Sequence, residues 1–484
     1  MKINPKAINL SIEDKITHLI QDRFLLLGST QIRSSYESYK SDTYNNSEAE
    51  LTMAWLALLS GDNLGLYQRY QLINPPELSQ RSLGLYYDLE ALSGVFGSPS
   101  DRLKKSEDAI HHLSDVNDLY LANAYLTHGQ ILNGMHNLRG AADYFKQAYT
   151  LFFSHHLYFA ASVSLTNALL DFYRLGEIDL VIDMVEKTLL ITSQFQTEDQ
   201  RLWDIIRLPF GMCLLQKGVY QLAESELLRA KEMIDHFELI HMHGYIEIEL
   251  CRLYVALEQK DKLRKIYQEM VKLFSHMHYP MMDVILYYAK YHLNELNASD
   301  IEKMTFYDEH NKVLHPLINE LMMALYHDEK IDYPLDKHLK KIEEARFTGD
   351  RVELVTYLLF LSDRYLKDQH KKEAQYLIEE VYKLYSDDHL GLAMKLHHFT
   401  SSSLLKKIDP KLSFKKSEDM LLTEKEYEIL KLIEKGLTND EIAQKLFISI
   451  GTVKWHINHI YSKLDVKHRA EAIKKAKDLK IIIS

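Results

Sequence analysis

Small and apolar residues recur along this chain at offsets that belong to helices packed in pairs. In "LTHGQILNGMHNLRGAADYFKQAYTLFF" the residues Gly129, Ala141, Phe145 and Ala148 stand at offsets 0, 12, 16 and 19. The same offsets return in "GMCLLQKGVYQLAESELLRAKEMI" as Gly211, Ala223, Leu227 and Ala230. Ala168, Leu180 and Met184 keep the frame between them. Cys251, Leu263, Tyr267 and Met270 keep it afterwards, and Ser362, Ala374, Ile378 and Val381 repeat it late. A small residue in one helix lets the next approach closely, a small residue twelve positions on receives it, and the set that follows covers a neighbour. Each hairpin then has an apolar face that only adjacent hairpins can cover, which predicts a helical solenoid. Residues 1–50 are less legible: "SDTYNNSEAE" reads as a loop before a helix that opens near Leu51. The spacing breaks over 290–345, where a frame slip or an added helix is expected.

A different pattern governs the C-terminus. The stretch "TSSSLLKKIDPKLSFKKSEDM" holds a Ser run, Pro410 and a Lys pair, with no stripe long enough to pack, and reads as a linker. Beyond it, Thr423 with Glu426 makes a capping box that opens "EKEYEILKLIEKG"; Ile429, Leu432 and Ile433 give this helix an apolar face and Gly436 ends it. Thr438 with Glu441 opens "NDEIAQKL" in the same way. The "FIS" that follows is a turn, with Ser449 as N-cap of a third helix, and 467–480 reads as a fourth. Along the third helix Val453, Ile457, Ile460 and Leu464 form one buried stripe. Lys454, Trp455, Asn458 and Ser462 fall opposite it, and Thr452, His456, His459 and Lys463 on its flanks. A short helix, a tight turn and a second helix with a polar N-terminal half is the helix-turn-helix arrangement, whose second helix enters the DNA major groove.

At 484 residues the chain exceeds one hydrophobic core. A 46% hydrophobic and 26% charged composition excludes a disordered chain, and 17 Gly with 9 Pro are too few turn formers for a sandwich or barrel. The fold class is therefore all-α. The expected partition is an unassigned segment at 1–50, a helical repeat domain at 51–400, a linker at 401–420 and a helix-turn-helix domain at 421–484. Cys213 and Cys251 cannot build a disulfide framework, and their small number fits a reducing cytosol. The N-terminal "MKINPKAINLSIEDKITHLI" carries charge inside each apolar run, so neither signal peptide nor anchor is expected and the expected location is cytoplasmic. A net charge of -11 argues against nucleic acid until its distribution is counted. Residues 420–484 hold 12 Lys and Arg against 9 Asp and Glu, so the tail is the basic part.

The segment "LTEKEYEILKLIEKGLTNDEIAQKLFISIGTVKWHINHIYSKLDVKHRAEAI" resembles the LuxR-type helix-turn-helix. It matches at Leu422-Thr423, Glu426, Glu428, Gly436, Asn439, Glu441-Ile442-Ala443, Leu446, Ile448-Ser449, Thr452-Val453-Lys454, His456, Ile460, Lys463-Leu464 and Arg469. The resemblance implies that Lys454, Trp455 and Asn458 face the bases. It implies phosphate contacts at Thr452, His456, Lys463 and Asn439, with Val453 and His459 completing the DNA-binding set. It also implies a homodimer through the last helix, around Ala472, Ala476 and Leu479. Asp465 replaces the common Gly after "KL", and Asp440 stands where a basic or neutral residue is frequent; both add negative charge, so tight nonspecific binding to double-stranded DNA is not expected.

The repeats resemble tetratricopeptide repeats with a longer period of about 40 residues, as in regulatory repeats of bacterial transcription activators. The usual Trp and Pro positions are not kept. Repeats and tail together resemble the maltose-regulon activator group, "MAWLALLSGD" being similar to the start of its repeat region. That group carries an N-terminal nucleotide-binding switch, whereas this chain has neither G-x-x-x-x-G-K-[ST] nor a βαβ receiver pattern. Regulation is expected to fall to the solenoid.

Adjacent histidines such as His111-His112, His155-His156 and His397-His398, and spaced ones such as His241/His243 and His276/His278, diverge around a helix. They are poor metal pairs, and solvated or capping roles are expected. No metal or cofactor is expected. Cys213 and Cys251 fall at or beside the small-residue position of a hairpin's first helix and are expected to be buried. The 31 tyrosines read as inter-helix filler, on a surface that could also take a peptide, protein or small-molecule effector. The leading reading is a sequence-specific transcription regulator. The alternative is an interaction scaffold whose tail tethers it to DNA nonspecifically, the two differing in specificity ratio. No nucleophile-base pair, metal spacing or phosphate loop points to an enzyme.

Overall fold

The computed structural model describes residues 36–478, apart from 42–43, 45, 95–96, 116–118, 196–199, 238–241, 275–279, 311–315, 389, 398, 409–423, 447, 449 and 465. Among the described residues all regular structure is helical, as the composition requires, and no helix is long and apolar enough to cross a membrane. The N-terminal segment 1–35, the cap at Thr423, the N-cap at Ser449, Asp465 and Leu479 lie outside the described residues, as do the side chains of Ser462 and Lys463.

The chain divides into two compact units. The first holds α1 (Ser47–Ser60), α2 (Asn63–Tyr70), α3 (Gln80–Ser93), α4 (Pro99–Leu113), α5 (Leu119–Gly134), α6 (Leu138–Ser154) and α7 (Tyr158–Arg174), with a 3-10 turn at Leu202–Ile206. The second holds α8 (Ile178–Thr192), α9 (Arg207–Gln216), α10 (Tyr220–His236), α11 (His243–Ala256), α12 (Lys260–Phe274), α13 (Pro280–Leu293) and α14 (Ala298–His310). It continues through α15 (Pro316–His327), α16 (Leu335–Thr348), α17 (Arg351–Lys367), α18 (Lys371–Asp388), α19 (Ala393–Leu396) and α20 (Ser402–Ile408). Its last four helices are α21 (Glu424–Glu434), α22 (Asn439–Leu446), α23 (Ile450–Lys463) and α24 (Arg469–Asp478).

The small-residue offsets mark real crossings. A Cβ on Gly129 in α5 would lie 2.6 Å from Phe145 Cε1 in α6, and one on Gly211 in α9 would lie 2.6 Å from Leu227 Cγ in α10. Only hydrogen lets either pair of helices come so close. In the last pair the Ser362 hydroxyl donates to the Ala374 carbonyl at 3.2 Å.

The hairpins are punctuated by a device that the offsets do not reveal. His136, His156, Gly176, Gly218, Glu258, Asn294, Glu329, Gly349 and Gln369 have left-handed φ, each within two residues of a helix end. After most of them the next N–H reaches back to a carbonyl of the last turn, as in Asn137 to Leu132 (2.9 Å), Val219 to Leu214 (2.9 Å) and His370 to Tyr365 (2.8 Å). This is the Schellman closure of a helix C-terminus.

Counting from these turns corrects one frame. Ala141, Ala223 and Ala374 each follow their turn residue by five, yet in α8 the residue five past Gly176 is Val181. Val181 and Val185 are buried whereas Leu180 is 40% exposed. The chain takes one more residue from Ala168 to its turn than from Gly129 or Gly211 to theirs, and the frame expected from Ala168 slips by one. Over 290–345 the chain forms the end of α13, then α14, α15 and most of α16.

Several polar groups predicted to be solvated are instead buried. His397 Nε2 meets Glu320 Oε1 at 2.8 Å, and Arg252 reaches the other Glu320 oxygen at 3.0 Å. Burial alone would raise the Glu320 carboxyl, but Arg252 and the His397 hydrogen bond outweigh it and hold the group at about 2. His243 is likewise buried, with Nδ1 3.1 Å from Glu247. His111, His155 and His156 do stay exposed. Asp363 accepts from the backbone N–H groups of Thr400 and Ser401, each at 2.7 Å, which carries the chain into α20. That helix falls in the segment expected to be linker, and its Leu405 is buried. Cys213 and Cys251 are buried and free, as expected, and burial pushes both thiols up.

Candidate nucleic-acid interface

The four C-terminal helices enclose a small core of their own. Ile429, Leu430, Leu432 and Ile433 from α21, Ile442 and Ala443 from α22, Val453, Ile457 and Ile460 from α23, Leu464, and Ala472 and Ala476 from α24 are all buried together. The predicted stripe of α23 is thus its inner face. Ala472 and Ala476 belong to the same core, which takes them out of the dimer surface that the resemblance implied. The exposed residues of α24 are instead Ala470, Glu471, Lys474, Lys475 and Lys477.

Local chemistry fixes the helix ends. Gly436 closes α21 at φ 83, with the Leu437 N–H returning to Leu432 at 3.2 Å. The Arg469 guanidinium donates to the same end, to Ile433 O at 3.2 Å and to Leu437 O, joining α24 to the turn before α22. At that turn the Glu441 carboxylate accepts from the Thr438 N–H (2.7 Å) and hydroxyl (2.8 Å), while the Glu441 N–H reaches Thr438 Oγ1 at 3.3 Å. This is the predicted capping box, and its hydrogen bonds hold the Glu441 carboxyl below the usual range.

The reading face of α23 divides in two. Lys454 and Asn458 are exposed, together with Ile450 and Gly451. Trp455 and, at the start of α22, Asn439 are half-buried. Thr452, His456 and His459, expected on open flanks, are only 4%, 7% and 8% exposed, and Val453 is buried in the core.

Their cover comes partly from the repeats of the same unit. Helix α23 packs against α10, and the His459 ring stacks on Phe210 of α9 with centroids 6.5 Å apart. Trp455 lies over His459 at 4.0 Å and against His456 at 4.8 Å, making an aromatic strip along that flank. His459 Nδ1 is 4.0 Å from Oε1 of the fully buried Glu426. In the sequence Glu426 reads only as part of a capping box, and no local pattern links Phe210 to so distant a segment.

Residues 420–476 match the model of the family described as bacterial regulatory proteins, luxR family. The HTH-type transcriptional regulator MalT of Serratia proteamaculans (strain 568) is 45% identical over 58 residues, 12% of this chain and 6% of that protein. MalT of Yersinia pestis (strain Pestoides F) matches to the same extent. The match therefore covers only a small part of these relatives' length. The crystal structure of a Rap protein complexed with competence and sporulation factor aligns with 79% of this chain and 99% of that one, at a TM-score of 0.45 and 11% identity. Residues 420–476 are a LuxR-family helix-turn-helix domain, preceded by repeats whose described residues are helical.

Proposed function

We propose that this protein is a transcription regulator that binds double-stranded DNA in a sequence-specific way through α23. The observation that carries the reading is the exposure of Lys454 and Asn458 on a helix whose opposite stripe is locked into the four-helix core. Side chains held on a rigid helix can make directional hydrogen bonds to base edges, which is what sequence readout requires. In this reading Lys454, Trp455 and Asn458 meet bases. Asn439 and Lys463 meet phosphates, and Thr452 and His456 do so once their flank leaves the repeats, with Val453 seating the helix and His459 beside them. Lys431, Lys435, Lys445, Lys467, Lys474 and Lys475 are exposed around the domain and supply the salt-dependent part of the affinity.

The protein acts in the cytoplasm as a dimer through α24, whose Ala472 and Ala476 are buried in its own core. The repeats, with 51–400 as their working boundary, take an effector or partner protein, and the regulator has no enzymatic step. The test is selection of duplexes from a random-sequence pool by the full-length chain, followed by anisotropy on the selected and a scrambled duplex across salt. The expected result is a preference of about a thousandfold or more for the selected duplex. A pool that yields no enriched sequence, with equal affinity for all duplexes, overturns the reading and leaves a nonspecific tether.

A further inference from the structure

We propose that Glu186, Glu426 and His459 form a binding site for a divalent transition-metal ion of the zinc class, which ties the helix-turn-helix to the repeats. One ligand atom from each lies within 4.8 Å of the other two. The three come from separate elements: Glu186 from α8 in the repeats, Glu426 from α21 and His459 from α23. Glu426 and His459 are buried, while Glu186 is half-buried and leaves the cluster within reach of solvent.

Two carboxylates brought this close repel each other, and a low-dielectric setting strengthens the repulsion. A divalent ion held between the two carboxylates and a neutral imidazole relieves that repulsion. Imidazole nitrogen and carboxylate oxygen are both donors that zinc takes at low coordination number, whereas calcium takes six to eight oxygens and magnesium a near-ideal octahedron. Zinc bonds of about 2.0–2.2 Å hold ligand atoms up to about 4.3 Å apart, so small side-chain rotations close the cluster onto an ion. Phe210 and Trp455 pack on the His459 ring at 6.5 and 4.0 Å and fix its plane. A pre-set imidazole loses little freedom on binding a metal.

An ion held by α8 on one side and by α21 and α23 on the other keeps the Thr452-His456-His459 flank turned to the repeats. The consequence for DNA rests on the proposed function: metal-loaded protein binds its duplex more weakly than metal-free protein. The test takes the full-length chain stripped with a chelator and titrates zinc ion against a chromophoric competitor. The expected result is one tight equivalent, lost in both Glu186→Gln and His459→Gln with the helical circular dichroism retained. Saturating zinc should weaken wild-type binding to its selected duplex about tenfold and leave Glu186→Gln binding unchanged. Zinc uptake that is the same in wild type and both variants would assign it to exposed histidines such as His111 and His155 and overturn the site. Uptake lost in the variants with no change in DNA affinity would overturn the tie. If no form of the protein prefers any duplex, the proposed function falls while the competition titration still decides the site.

Discussion

In the repeats of the second unit a buried charge meets its counter-charge: Glu320 lies between Arg252 and His397, and Asp363 between His327 and two backbone N–H groups. In the helix-turn-helix the buried polar residues of α23 lie beside the exposed Lys454 and Asn458, on a flank that packs against the repeats. The first kind of burial holds a fold together. The second covers part of the surface proposed to meet DNA. The difference teaches that polar burial is informative only with its cover named: removal of a repeat charge should cost stability, whereas removal of an α23 side chain should cost binding.

The largest expected effect tests the first half of that contrast. Glu320→Ala removes the carboxylate that His397 meets and one of the two that Arg252 meets, Glu249 keeping the other, and should cost about 3 kcal/mol in chemical denaturation. A loss below about 1 kcal/mol would place this network with the functional surface. Acid should act on the repeats in a graded way. Burial holds His128 and His338 down at about 4, so both are neutral in the fold near neutral pH. Their folded values lie below the unfolded one, so the fold binds fewer protons. Their contribution is complete above about pH 6.5, and falls away as pH drops from there to about 4, on the order of 3 kcal/mol each. A denaturation series across pH should show this slope, and His338→Gln should flatten it.

Smaller effects follow from the crossings and turns. Gly211→Ala puts a Cβ against Leu227, an overpacking cost of about 1–3 kcal/mol, against about 1 kcal/mol gained in helix propensity. A net loss of about 1 kcal/mol is expected in thermal unfolding. Gln369→Gly should do the opposite and stabilise by about 0.5–1 kcal/mol, since a left-handed residue with a Cβ is strained where glycine is not.

The contrast also explains what could be read from the sequence. Gly129 and Gly211 betray their crossings because only glycine fits, and Val453, Ile457, Ile460 and Leu464 betray the inner stripe of α23 because a helix has one period. The turns were less legible: His136, Glu258 and Gln369 adopt a conformation that their residue types do not announce. The slip at Leu180 has another cause: its turn residue is a glycine, Gly176, but it lies one residue farther from the small residue before it than in the other hairpins, and the frame is set by the turn residue. Thr452, His456 and His459 were placed on the correct helix, but their cover comes partly from α9 and α10, and no periodicity within α23 reports a distant neighbour.

The central claim is that the exposed half of α23 reads sequence. Fluorescence anisotropy of full-length wild type and Lys454→Ala, on the selected duplex and on its scrambled version at two salt concentrations, tests it most directly. The account predicts that Lys454→Ala loses about 1–3 kcal/mol on the selected duplex and much less on the scrambled one, so that the preference collapses while the fold is kept. Equal losses on both duplexes would contradict it and reduce Lys454 to a phosphate contact.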